Sequence, residues 1–345
     1  MNAFASLAFP PEPLVRAALD ALSAAAGPLS LAALEARADL PRGRLEMMLK
    51  VLDVDGVVHR VRGGWVATGE PWVYDGERYT RVAAERSREQ QAMLGYAATT
   101  GCRMDYLLRE LDDPAAAPCG RCDNCTGTSR AAAVSAASET LARDRLQQPG
   151  VPVTPRRMWP SGMKDLGVGA AGKISASDAA ETGRSVGRLT DLGWGAALRT
   201  VLTGDAPDEP VSDELFGAVV QVLAGWDWAQ RPAAVVTMPS RTRPTMIGSL
   251  GQRIAGTGKL EYLGSLGYAG DAPAGRQHNS AQRLAALWHA LTVPDALGAA
   301  LAELDGPVLL VDDRIDTGWT MTVAAKLLRE AAAPAVLPFA LAVST

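Results

Sequence analysis

Four cysteines are all this chain contains, at Cys102, Cys119, Cys122 and Cys125. Their C-x16-C-x2-C-x2-C spacing packs three thiols into the seven-residue run Cys-Gly-Arg-Cys-Asp-Asn-Cys. Zn²⁺ takes four soft ligands in a tetrahedron, and a tight turn can deliver three thiolates from one stretch of chain. The alternative is a pair of disulfides in a secreted protein. The N-terminus shows no basic stretch followed by an apolar core, so the thiols are expected to stay reduced and available to a metal. One structural Zn²⁺ on these four residues is the expectation.

A second constellation lies near the C-terminus. Residues 307–311 are apolar throughout, as in a buried parallel strand, and run into Asp312-Asp313-Arg314-Ile315-Asp316-Thr317-Gly318-Trp319-Thr320. A helix is expected over 320–332 and another strand over 335–343. Two carboxylates at a strand's carboxyl end can hold vicinal hydroxyls or a metal. A Thr-Gly-x-Thr turn at a helix start offers N–H groups and hydroxyls to a phosphate. Together they describe a ribose-5-phosphate site. Upstream, 233–238 read as a strand ending in Pro239-Ser240-Arg241-Thr242-Arg243-Pro244, followed by a helix through Leu250 and Ile254.

The elements that must position these groups follow from periodicity. Residues 12–68 read as a winged helix. Leu14, Ala18 and Leu22 share one helical face, Ser30 caps a short second helix, and Pro41 starts a third with Leu45, Met48 and Leu52 inward. Asp55-Gly56 then leads into 57–62, and Gly63-Gly64 reverses the chain into 65–67, a hairpin signal. That arrangement would place Arg42 and Arg44 on a DNA-facing helix start and Arg60 and Arg62 on a wing, although winged helices also bind protein. Residues 79–109 are helical, their arginines interleaved with glutamates as on a solvated helix. Residues 126–155 look like a spacer with an Ala-rich helical run, stiffened by Pro152 and Pro155. A helix is expected to carry Arg184, Arg188, Leu192 and Trp194. At 345 residues the chain can hold two or three domains. Its net charge of −4 confines any DNA site to a local patch, and no apolar stretch is long enough to span a membrane.

The cysteine array, with Met93-Leu94-Gly95-Tyr96-Ala97 before it and Cys102-Arg103-Met104 opening it, resembles the zinc-binding module of RecQ-family DNA helicases over about residues 80–128. In that family the module packs against the helicase motor and helps bind DNA, which implies the same for this segment, Arg103 included. The nine residues 312–320 resemble the phosphoribosyl-pyrophosphate signature of type I phosphoribosyltransferases. That resemblance implies Asp312 and Asp313 at ribose hydroxyls, with Asp316, Thr317, Gly318 and Thr320 as the 5-phosphate loop. In purine-type members the carboxylate at the Asp316 position can act as general base. Trp319 is bulkier than the small residue common there. Arg241 and Arg243 fit a pyrophosphate loop similar to that of the competence-factor-like branch, as does Gln277-His278-Asn279-Ser280-Ala281-Gln282. Mg²⁺ would accompany a phosphoribosyl ligand. Many members of that branch carry the pocket without demonstrated turnover, so ligand binding is expected ahead of catalysis.

The two resemblances meet in a branch of RecQ-like helicases that carries a tetracysteine module and a C-terminal phosphoribosyltransferase-like domain behind its motor. The implied fold is α/β: a winged-helix-like domain at 1–75, a zinc module at 76–130, a linker and helical connector at 131–210, and a phosphoribosyltransferase-like domain with a parallel sheet at 211–345. The winged-helix-like segment precedes the cysteines, whereas in ordinary RecQ proteins it follows them. Neither a Walker A loop nor a DExH box occurs in the sequence. Gly256-Thr257-Gly258-Lys259 lacks the following Ser or Thr, so this chain alone is not expected to hydrolyse ATP. His59, His278 and His289 have no nucleophile setting that would make a hydrolase. The expected role is a DNA-binding accessory region, with single-stranded or forked DNA and helicase motor domains as partners, in the cytoplasm on the nucleoid. A phosphoribosyltransferase with a zinc-stabilised appendage, or a zinc-containing transcriptional regulator, are the alternatives.

Overall fold

The computed structural model describes residues 9–128, 134–204, 206–270 and 280–344. The chain divides into two compact units, residues 1–31 with 42–136, and residues 32–41 with 137–345.

In the first unit, α1 (Glu12–Ser23) follows Pro11, carries Pro13 in its first turn and buries Val15, Ala18 and Leu22. Helix α2 (Leu31–Glu35) starts at the division, its residues from 32 on belonging to the second unit. Helix α3 (Arg42–Val54) buries Leu45, Met48, Leu49 and Leu52, positions spaced for one face. The hairpin forms where the paired glycines predict it. β1 (Val58–Val61) pairs antiparallel with β2 (Gly64–Ala67), and Trp65 is buried beneath. Helix α4 (Gly76–Ala98) is capped by the Asp75 carboxylate, which accepts from the Arg78 amide, and buries none of its residues. Two shorter helices, α5 (Arg103–Glu110) and α6 (Asp123–Thr126), follow it.

The second unit is a mixed α/β layer. It begins with α7 (Ala136–Gln147), β3 (Val151–Val153), a 3-10 turn at Met163–Leu166, β4 (Gly183–Arg188) and α8 (Gly195–Leu202). Residues 131–210, expected as linker and connector, therefore supply two strands of the main sheet. Residues 183–188, expected within a helix, are instead a strand paired on both sides, with β10 and β3, and buried at Gly183 and from Ser185 to Gly187. The remainder is α9 (Asp213–Ala224), β5 (Ala234–Thr237), α10 (Pro244–Gly258), β6 (Glu261–Ser265), β7 (Gly267–Tyr268), α11 (Ser280–Trp288), β8 (Leu291–Thr292), α12 (Asp295–Ala302), β9 (Val308–Ile315), α13 (Trp319–Glu330) and β10 (Val336–Val343).

Six strands form one sheet in the order β3-β4-β10-β9-β5-β6, all parallel except the edge strand β3. β10 is buried at every position, which the sequence signals as an unbroken apolar run. Alternate residues serve opposite faces. Leu310, Val236 and Ala340 pack with α11, α12 and α13, while Leu309, Val235 and Phe339 pack with α8, α9 and α10. β9 runs to Ile315, four residues beyond the expected end, because β10 continues to pair with it through Val343. Asp312 and Asp313 are thus strand residues rather than loop residues. From β5 the chain steps outward to β6 and then returns to β9 on the other side of β5. The strand order reverses between these neighbours, and open α/β sheets bind ligands at such a reversal, beyond the strands' carboxyl ends.

Candidate functional site

The cysteines converge as their spacing predicts. The four Sγ atoms all lie within 4.8 Å of one another. Four sulfurs about 2.3 Å from one tetrahedral ion sit ~3.8 Å apart, so the set fits Zn²⁺ with little adjustment. Each ligand has a local reason for its place. Cys102 caps α5, its sulfur accepting from the amides of Asp105 (3.4 Å) and Cys119 (3.2 Å). Cys119 accepts from the Cys122 amide at 3.3 Å, and Cys122 precedes α6. These amides hold the Cys102 thiol down to about 6. Cys125 is pushed up to about 12 by hydrogen bonds with the Cys122 and Cys102 sulfurs. A dication held by the four sulfurs would favour the thiolate at each of them.

Outer contacts lock the cluster. Arg103 Nε donates to both oxygens of Asp123 (2.8 and 3.1 Å), and its Nη1 donates to the Tyr96 carbonyl at 3.0 Å. Asn124 Nδ2 donates to the carbonyls of Thr99 (2.8 Å) and Gly101 (2.7 Å), tying the last cysteines to the loop before the first. Tyr106 lies against α4 and donates to the Ala92 carbonyl; a Cβ at Gly95 would come 2.3 Å from its hydroxyl. The Gly95-Tyr96 pair before the cysteines is therefore a packing requirement of the module. Residues 70–126 match the RecQ zinc-binding family. No curated protein and no solved structure matches the chain.

Residues 70–126 thus match the RecQ zinc-binding family and hold a four-cysteine cluster that supports one structural zinc. Of the arginines expected to face DNA, Arg42 is exposed at the start of α3, Arg44 is half-buried two residues on and roughly on the opposite side of that helix, and Arg60 and Arg62 are exposed on the hairpin. Arg103 differs from these: it is the clamp on Asp123 and only about a quarter exposed (27%). Among the described residues, no helix is long and apolar enough to cross a membrane.

In the second unit, the loops after β5 and β9 meet at the strand-order reversal. Arg243 Nη1 stands 3.6 Å from Asp313, and the Arg243 Nε is buried without a hydrogen-bond partner. The Asp313 amide donates to Asp312 at 2.8 Å. Burial, and then the neighbouring Asp313 charge, push the Asp312 carboxyl well above the usual range. Gly318, at φ 81°, turns the chain into α13 and places residues 316–320 at that helix's start. Arg241 lies over the Tyr268 ring, 4.9 Å from its centroid.

Several residues at this crevice were not legible beforehand. Arg283 bonds both Asp316 (3.0 Å) and the Thr317 hydroxyl (3.2 Å), while Arg156 donates to the Thr317 carbonyl and lies 5.0 Å over Trp319. Tyr268 anchors the β5 loop through the Pro239 carbonyl. Each comes from a segment remote in sequence, and no local pattern pointed to any of them. Thr320 sits half-buried in the first turn of α13. His59 bonds Asp53 at 2.9 Å on the surface. His278, with Gln277 and Asn279, lies outside the described residues.

Proposed function

We propose that this chain is the DNA-binding accessory region of a RecQ-type ATP-dependent helicase, working on forked or single-stranded DNA with motor domains supplied in the same or a separate chain. The observation that carries this reading is the RecQ zinc-binding match at 70–126, with its cysteines gathered for one ion. Residues 1–75 act as a winged helix, presenting Arg42 and Arg44 from α3 and Arg60 and Arg62 from the hairpin to phosphates. The zinc module, 76–130, holds its shape through Arg103 and meets the motor. A groove of about 580 Å³ between α4 and α5, lined by Tyr96, Tyr106 and Leu107, leaves Met93 71% and Leu111 68% exposed, and such apolar surface suits a partner. Fluorescence anisotropy with labelled forked and single-stranded oligonucleotides, over a salt series, tests the DNA role. Binding that weakens with salt and with Arg42→Ala, Arg44→Ala, Arg60→Ala and Arg62→Ala together is expected. No binding at low salt would reject it.

A second reading concerns 211–345 alone, as a phosphoribosyltransferase-like ligand domain. It is favoured by the meeting of Arg241, Arg243, Asp312 and Asp313 beside the 316–320 turn, where a diol and two phosphates could be held at once. Asp316 is the group placed to accept a proton if this site turns over. Calorimetry with phosphoribosyl pyrophosphate, with and without Mg²⁺, is expected to show heat that Asp312→Asn with Asp313→Asn abolishes. An absence of heat under both conditions removes this reading and leaves the first untouched.

A further inference from the structure

The second unit has a cavity at the opposite end of its sheet from the Asp312 crevice, and no role assigned above uses it. It is a half-open pocket of about 360 Å³ between α9 and α10. Phe216, Val220, Leu223 and Ala224 line one side at i, i+4, i+7 and i+8 along α9. Ile254, Thr257 and Gly258 line the other at the end of α10, and Leu309, fully buried near the start of β9, is the floor. The small residues Ala224, Thr257 and Gly258 leave the helices unfilled at this end. An engineered apolar cavity of about 150 Å³ already binds benzene, so this one has room for one or two rings.

Its walls are held in place rather than collapsed. The Phe216 ring lies 4.0 Å from the Arg253 guanidinium, itself bonded to the Val211 carbonyl (2.8 Å) and Asp213 (2.7 Å). Trp228 stacks on Trp226 at 4.1 Å and donates from its indole N–H to the Leu223 carbonyl. At the rim, exposed Arg231 gives one hydrogen bond to the Gly258 carbonyl and has no carboxylate partner among the described residues. Fixed aromatic walls suit a flat ring, and a guanidinium with donors to spare suits a carboxylate.

We propose that this cavity binds a small aromatic carboxylate, its ring between Phe216 and Trp228 and its carboxylate on Arg231. The site is independent of the DNA and phosphoribosyl readings. Isothermal titration of the full, zinc-loaded chain with 1-naphthoate tests it, with 1-naphthalenemethanol as the neutral counterpart. Saturable binding of naphthoate is expected, at least about tenfold weaker for the alcohol and for Arg231→Gln, since one charge-assisted bond is worth that much. Ala224→Phe fills the cavity from an exposed helix position and should abolish binding, while circular dichroism confirms that both variants remain folded. Should Ala224→Phe misfold, Thr257→Leu reaches the same space from α10. No binding to the wild type, equal binding of the alcohol, or binding that survives a folded cavity-filling variant would each overturn the proposal.

Discussion

Asp312 is the residue at which structure and stability pull apart. Half-buried, its carboxyl lies beside a second carboxylate, and its pKa in the folded chain is raised. The stability it contributes is therefore fully present below the ordinary carboxyl value and is lost as pH rises toward the raised folded value. Asp312→Asn is expected to raise the thermal midpoint at neutral pH and to flatten this part of the pH–stability curve, as measured by calorimetric melting. A lower midpoint would mean that the carboxylate is structural. The cysteines behave oppositely. Cys122→Ser removes a ligand from a module whose helices α4 and α5 bury no residue completely, so metal supplies most of its order. Limited proteolysis should cut within 76–126 in the variant and spare the wild type.

At the scale of elements, α10 illustrates what lies beyond local pattern. Its start at Pro244 was readable, since Pro belongs in a first helical turn. Its cap was not. Asp208, thirty-six residues upstream of Pro244, accepts the amides of Thr245 and Met246 at 2.9 Å each. Burial raises the Asp208 pKa, yet those two amides outweigh it and the net shift is downward. Its stabilising contribution is present above the ordinary carboxyl value and lost as pH falls through the lowered folded value. Asp208→Ala is expected to lower the melting temperature at pH 7 and to lose less stability than the wild type on acidification. The same contrast runs through the fold. β9 and β10 were legible because a strand buried on both faces is apolar throughout. β4 was hidden, because Gly, Ser and Arg in it carry no apolar run and only its pairing with β10 and β3 makes it a strand. The zinc ligands and the 312–320 turn were legible as contiguous motifs. Arg156, Tyr268 and Arg283 reach the crevice only by tertiary folding, and no spacing announces them.

For the whole molecule, a net charge of −4 constrains the proposed binding of DNA. Long-range attraction is unfavourable, so binding has to come from a few local phosphate contacts and should be weak and sensitive to salt. If Arg42, Arg44, Arg60 and Arg62 each neutralise one phosphate, the plot of log affinity against log salt should have a slope of about −3 to −4, and each Arg→Ala change should reduce it by about 1. A slope near zero would place any DNA affinity elsewhere. Everything in this account rests on the RecQ-type zinc module, and X-ray absorption at the zinc edge of the purified chain examines it most directly. One zinc per chain with four sulfurs at about 2.3 Å is the predicted result. A folded chain without zinc, or zinc bound by nitrogen and oxygen, would contradict it.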